Sequence, residues 1–225
     1  MNEKPKSIDQ LLNIKKGVTA VIGSGGKTSL IHALAKTLRG KVIVCTTTHI
    51  YPSTKIKTLI SATAEDMMVA LEKERVICVG EPCEDGKMMA TSVPISQLEA
   101  IADYVLVEAD GAKQKPIKAH ADYEPKIPEV CSQTILVVGA SGFNSVIQSA
   151  VHRPQTYTEI TQTSLSDCVT SENLARLINY ENLADQIYIN QIEKEDQARF
   201  AERLAKRVCI PMIGGSLKKG NAFKL

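Results

Sequence analysis

The sequence is poor in the features that mark several large classes of protein. Formal net charge is only +2, because 27 lysines and arginines are set against 25 acidic residues. The basic residues are scattered, with no cationic stripe of the kind that tracks a nucleic-acid backbone or anionic lipid. Nucleic acid and membrane are therefore excluded as expected partners. The six cysteines (Cys45, Cys78, Cys83, Cys131, Cys168 and Cys209) are widely spaced and include no C-x-x-C pair, which argues against a zinc knuckle or a disulfide framework. Reduced thiols in a cytosolic core are the expectation. No segment approaches the roughly 18 to 20 apolar residues that cross a bilayer, and residues 1–14 hold no apolar stretch of signal-peptide length. A cytoplasmic location is expected. Internal repeats and low-complexity segments are also missing, as is a dinucleotide fingerprint G-x-G-x-x-G, whose third glycine would fall on Thr28.

What is present is an ordinary globular composition, 44% hydrophobic and 23% charged over 225 residues, enough for one domain spanning 1–225 with a substantial core. Apolar runs alternate with helical stretches, so the expected fold is α/β: a three-layer, P-loop NTPase-like arrangement on a mostly parallel central sheet. Residues 1–16 read as a helical lead-in with a capping box at Ser7 to Gln10. Strands are expected at 18–22, 42–45, 76–79, 104–107, 135–138, 187–189 and 210–213. Helices are expected at 29–38, from Thr63 to about Lys73, at 172–178 behind Thr170 or Ser171, and at 193–207. Asp85-Gly86 reads as a hairpin turn, and Ser96 to Glu99 as a further capping box. Residues 112–132 carry Pro116, Pro125 and Pro128, which exclude a long helix. A loop of that length in a compact domain is expected to be functional.

The strongest chemical signal is Gly23-Ser24-Gly25-Gly26-Lys27-Thr28, with Ser29 opening the helix behind it. A triphosphate needs a concave nest of backbone amides, which glycines permit by tolerating positive φ. It also needs a lysine for the β and γ oxygens and a hydroxyl for Mg²⁺. All three are here, between a strand and a helix. The longer G-x-x-x-x-G-K-[ST] pattern would want glycine at Val21, so the loop follows the shorter G-x-x-G-K-T form, which resembles the loop of Mur-type ligases.

Glu108-Ala109-Asp110-Gly111 ends the 104–107 strand and offers two candidate metal carboxylates. Read as [DE]-x-x-G, the carboxylate is Glu108 and Gly111 senses the γ-phosphate; read as an apolar run ending in Asp, it is Asp110. Thr46-Thr47-Thr48-His49 ends the second strand, where ligands of open α/β sheets gather. Its hydroxyls and imidazole suit water, metal or substrate, although threonine is also a favoured strand residue and His49 equally reads as a packed histidine. Asn190-Gln191-Ile192-Glu193 stands where guanine-reading proteins carry N-K-x-D, with Gln for Lys and Glu for Asp. Lys113 to Lys118 and His152-Arg153-Pro154 are candidate anion contacts, Arg153 being suited to bidentate pairing.

The loop V-I-G-S-G-G-K-T-S, the segment T-T-T-H-I-Y-P, the stretch D-Y-V-L-V-E-A-D-G-A-K-Q-K-P-I-K-A and the later H-R-P, in this order, closely resemble the YqeC-like family of accessory proteins for selenium-dependent hydroxylases. The resemblance runs from about Gly17 to Arg153 and more loosely to Asn190. It covers Gly23, Gly26, Lys27, Thr28, Thr46 to His49, Glu108, Asp110, Gly111 and His152-Arg153. It implies a client among selenium-dependent molybdenum hydroxylases, or the cofactor of one, and covers no selenocysteine or molybdopterin ligand. The expected activity is Mg²⁺-dependent binding and hydrolysis of ATP or GTP, with Lys27 stabilising γ-phosphate charge while Thr28 and Glu108 or Asp110 place the metal. The rivals are a non-hydrolysing nucleotide switch docking a client through Lys113 to Pro128, and a small-molecule kinase or ATP-dependent ligase.

Overall fold

A computed structural model describes residues 6–225. The first five residues of the expected lead-in lie outside that range. In chain order the first half comprises α1 (Ile8–Leu11), β1 (Gly17–Gly23), α2 (Lys27–Thr37), β2 (Val42–Thr46), β3 (Lys57–Ile60), α3 (Ala64–Lys73), β4 (Val76–Pro82), β5 (Met88–Met89), α4 (Ile95–Ile101) and β6 (Tyr104–Glu108). The second half comprises β7 (Ile117–Lys118), β8 (Cys131–Gly139), α5 (Ile147–Ala150), β9 (Val151–His152), α6 (Pro154–Thr161), α7 (Ser171–Glu181), β10 (Gln186–Asn190), α8 (Glu195–Ala205), β11 (Met212–Ser216) and β12 (Asn221–Lys224).

Nine strands form the path β12-β11-β10-β8-β1-β6-β2-β4-β3, and β5 adds to β4 as the tenth. Pairing is parallel except at two margins, β11 with β12 and β4 with β5. Strands buried on both faces explain the continuous apolar runs: Val105, Leu106 and Val107 are all inaccessible to solvent, with alternate residues facing opposite layers. One layer packs α1 and α2 on Val21, Leu106, Ile135, Val137 and Tyr188. The opposite layer sets Met67 of α3, Leu98 of α4, Leu174 of α7 and Phe200 of α8 on Ala20, Ile22, Val107 and Leu136. The result is helix, sheet, helix, as the alternation of apolar runs implied. Truncating a core side chain such as Leu34, fully buried in α2, costs about 2–5 kcal/mol at sites of this kind.

Some local expectations need correction. The helix at 95–101 is capped at Pro94, with Ser96 inside the first turn and no capping side chain. Proline's fixed φ and missing amide suit a helix start, which leaves the S-x-x-E match without a role. The segment 112–132 is interrupted by β7, which pairs in parallel with β9, and its last two residues already belong to β8. Thr170 is the cap of α7, accepting from the Asn173 amide. Asp85 takes φ 59 in the β4–β5 turn, as the Asp-Gly pair implied. Cys45 and Cys78 are buried in the core, whereas Cys168 and Cys209 are exposed.

Parallel order places the carboxyl ends of β1, β6, β2, β8 and β10 along one edge. Val21 of β1 is level with Glu108 of β6, which is level with Thr46 of β2; Gly23 is level with Val137 of β8, and Gly139 with Asn190 of β10. The glycine loop, the threonine run, Glu108 to Gly111 and Asn190 therefore meet at one edge.

Candidate functional site

The glycine loop turns directly from β1 into α2. Gly25 has φ 85, and a Cβ built there would lie 2.4 Å from the Cα and N of Gly139, so both the backbone angle and the close approach of β8 require glycine. Gly26, at φ 129, is the cap of α2 and supplies no side chain to the first turn. Among the described residues, no carbonyl or side chain accepts from the amides of Gly25, Gly26, Lys27 or Thr28. Four free donors at the start of an eleven-residue helix, with Thr28 and Ser29 exposed, make an electropositive terminus.

Lys27 folds back inside the loop. Its ammonium donates to the Gly23 carbonyl at 2.9 Å and lies 2.9 Å from Asp110 Oδ1 and 3.7 Å from Glu108 Oε1. Thr28 Oγ1 donates to Glu108 Oε2 at 2.8 Å. The two acids at the end of β6 thus have different partners. Glu108 faces the Thr28 hydroxyl at the rim. Asp110 is sealed beneath the loop, where its Oδ2 accepts from the Gly23 amide at 2.8 Å and from His120 Nε2 at 2.9 Å, with Lys118 Nζ 3.3 Å away. Asp110 Oδ1 accepts no hydrogen bond and meets only the Lys27 charge.

Electrostatics separates the acids in the same way. Burial pushes the Glu108 carboxyl above the usual range, outweighing Lys27 and the Thr28 hydroxyl, and the Asp110 charge pushes the same way. Burial also pushes on Asp110, but the His120 hydrogen bond and the charges of Lys27 and Lys118 together overcome it and hold this carboxyl at about 2.

The segment after Gly111 closes one flank of the loop. Ser24 Oγ donates to the Lys115 carbonyl, and the Gly139 amide donates to the Pro116 carbonyl at 2.8 Å. Lys118, without solvent exposure, bonds the Gly111 carbonyl at 2.5 Å and pairs with Glu124 at 2.9 Å. Glu124 in turn takes Arg153 Nη2 at 2.9 Å and Nε at 3.2 Å. Arg153, in the left-handed region at φ 64, also lies over the Tyr123 ring at 5.2 Å. Its guanidinium is thus engaged inside the protein. His152 has its pKa lowered by burial first and then by Lys118 and Arg153, and its backbone carbonyl accepts from Ala119.

The other expected residues divide. Thr46 Oγ1 donates to the Glu108 carbonyl at 2.9 Å and lies 3.2 Å from Thr48 Oγ1, while Thr47 Oγ1 donates to the Lys126 carbonyl at 2.8 Å. The threonines therefore brace the β6 end and the following segment. His49 and Lys113 are exposed and make no side-chain hydrogen bond or ion pair among the described residues, and Gly111 is open to solvent. Asn190 donates to the Gly25 carbonyl at 2.9 Å and accepts from the Leu217 amide at 3.1 Å. Beyond it, a groove of about 1090 Å³ runs along α2, lined in part by Ser29, Lys36, Gln191, Glu193, Leu217 and Lys218.

A family model described as YqeC protein matches residues 19–155. The chain belongs to the YqeC family. A curated protein of Escherichia coli (strain K12), described as "Uncharacterized protein YqeC", is 28% identical over 173 residues, covering 72% of this chain and 68% of the relative. The family match spans the glycine loop, the threonine run, Glu108 to Gly111, His120, Glu124 and His152-Arg153. Asn190 and Glu181 lie beyond it. Sequence reasoning missed His120, Glu124 and Glu181; a histidine and acids scattered through a lysine- and proline-rich segment and a helix end carry no spacing signal. Among the described residues no helix is long and apolar enough to cross a membrane.

Proposed function

We propose that the chain binds a nucleoside triphosphate with Mg²⁺ on the glycine loop and hydrolyses it, water attacking the γ-phosphorus and the nucleoside diphosphate leaving with inorganic phosphate as the other product. The observation that carries this reading is the group of four unpartnered amides, Gly25 to Thr28, around the buried Lys27 ammonium. Free amides and a helix start attract an anion, and the lysine adds a charge that reaches further into the nest.

Thr28 and Glu108 would hold the metal. A hydroxyl and a carboxylate 2.8 Å apart are oxygen donors of the kind Mg²⁺ takes. Glu108, pushed towards its neutral form by burial, regains its charge readily beside a dication. When bound, the ion neutralises charge on the phosphate oxygens. Lys27 exchanges the Gly23 carbonyl for phosphate oxygens, the loop amides hold the transferred group, and Asp110 keeps the base of the loop in place. Catalysis then comes from positioning and electrostatics. The base would lie in the groove beside Asn190 and Leu217, open to either ATP or GTP. In this reading the chain works in the cytoplasm as an accessory factor, and its resemblance to the YqeC-like family supports a selenium-dependent molybdenum hydroxylase, or the cofactor of one, as client.

Isothermal titration of the purified protein with ATP and with GTP, each with Mg²⁺, alongside a phosphate-release assay, tests the site. Lys27→Ala is expected to weaken binding by about 100-fold, the loss of a charge-assisted contact to phosphate. Equal binding and phosphate release by wild type and variant would sink the reading.

The contact between Ser24 and the Lys115 carbonyl favours a second reading, a nucleotide switch whose 113–128 segment docks the client. Tight binding without phosphate release, with or without the client, distinguishes it.

A further inference from the structure

Behind the glycine loop lies a line of buried charge that never reaches the surface where a phosphate would sit. His120 Nε2 is 2.9 Å from Asp110 Oδ2, and its Nδ1 is 2.8 Å from Glu181 Oε2. The other oxygen of Glu181 accepts the His120 backbone amide at 2.7 Å. Ionised carboxylates only accept, so both ring nitrogens donate and the ring is held from both sides as a cation. Glu181 is the last residue of α7, so this ring ties a helix end to the strand beside β1. Among the described residues the His120 ring makes no hydrogen bond or ion pair with the glycine loop itself. Its influence runs through Asp110, the same carboxylate that anchors the Gly23 amide and faces Lys27.

We propose that His120 is a positioning residue for the phosphate site, clamped by Glu181 and holding Asp110 in the orientation that fixes Gly23 and Lys27. The inference rests on the nucleotide-binding reading above for its functional consequence. Lys118, 3.3 Å from the same Asp110 oxygen, supplies charge but is shared with Glu124 and the Gly111 carbonyl. The imidazole is the directional donor.

Two substitutions separate the halves of the clamp. His120→Gln reaches towards the Nε2 position and retains a donor for Asp110. His120→Asn reaches only as far as Nδ1 and retains a donor for Glu181. If His120 acts through Asp110, His120→Asn raises the dissociation constant for Mg²⁺-ATP or Mg²⁺-GTP about tenfold, the scale of one lost hydrogen bond to a charged group. It also speeds hydrogen exchange of the Gly23 amide about tenfold in nucleotide-free protein, with Ala20 and Val21 unchanged. His120→Gln restores both to within about threefold of wild type. A residue serving only to pin α7 gives the reverse order, Asn rescuing and Gln failing, and that order overturns the proposal. Equal behaviour of the two variants, with Lys27→Ala still weakening binding about 100-fold, also overturns it while leaving the nucleotide reading intact. Accelerated Gly23 exchange in His120→Asn alone, in a protein that binds neither nucleotide, supports the clamp and removes the nucleotide reading.

Discussion

The two flanks of the glycine loop are built on opposite plans. On the β6 side the buried charges answer one another: Asp110, Lys118, His120, Glu124, Arg153 and Glu181 pair in a largely buried network. On the β10 side Asn190 borders an open groove of about 1090 Å³, where Lys218 is exposed. A closed flank fixes geometry and an open flank admits a ligand. Binding sites need both, because an anion nest that shifts when occupied loses the advantage of having been formed beforehand.

Breaking the closed flank gives the largest effect. Asp110→Ala leaves Lys27, Lys118 and the His120 ring without their shared carboxylate, all at sites with little or no solvent exposure. Removing one member of a buried charge network costs about 3–5 kcal/mol, chiefly because the remaining charges stay buried and unpaired. Urea denaturation is expected to show that loss. A variant within about 1 kcal/mol of wild type would mean that the network contributes little.

A pH titration sharpens the same point without deleting the side chain. Asp110 is held at about 2, below its ordinary 3.8. Its contribution to stability is therefore complete above the ordinary carboxylate range and is lost as pH falls through about 2, an amount of about 2 kcal/mol at most. Glu108, shifted upward, has the opposite sign: stability declines as pH rises through its raised pKa, because the unfolded chain has already released that proton. Asp110→Asn should flatten the stability curve between pH 4 and pH 2 relative to wild type. An unchanged acid limb would assign the loss to other groups, Glu124 first, since it is lowered as well.

How far this contrast could be read from the sequence depended on locality. The glycine loop declares itself because its parts are contiguous and bounded by Val18 to Ile22 before and Leu30, Ala33 and Leu34 after. Glu108 and Asp110 declare themselves by ending an apolar strand. Their division of labour does not, because it is set by Thr28, 80 residues from Glu108, and by His120 and Glu181, 61 residues apart. The edge strands were hidden for another reason. Lys57–Ile60 and Asn221–Lys224 hold no buried residue and only two apolar residues each, so they lack the longer apolar runs that announced β1, β6 and β8. α6 was hidden because its cap is Arg153 in a left-handed conformation, which no capping preference signals.

Asn190 is the seam between the flanks. Asn190→Ala removes the donor to the Gly25 carbonyl and the acceptor for the Leu217 amide. The expected cost is about 1–2 kcal/mol in stability, since both partners are left partly buried. Nucleotide affinity should fall with it, because the Gly25 carbonyl belongs to the nest. A lowered melting temperature with unchanged affinity would make the seam a matter of packing alone.

The smallest effect belongs to the open flank. Lys218 lines the groove, is exposed, and makes no hydrogen bond or ion pair among the described residues. Lys218→Ala should thus leave stability within about 0.5 kcal/mol of wild type, the usual range for such a surface change. If the groove admits the nucleoside end of an anionic ligand, the same change lowers affinity about two- to threefold at low salt. It should do less at physiological ionic strength, where the Debye length is about 8 Å. Affinity independent of both the substitution and the salt would place the ligand elsewhere along α2, and the division between a fixing flank and an admitting flank would then have to be redrawn around Lys36, Lys55, Lys57 and Arg75, the groove's other cations.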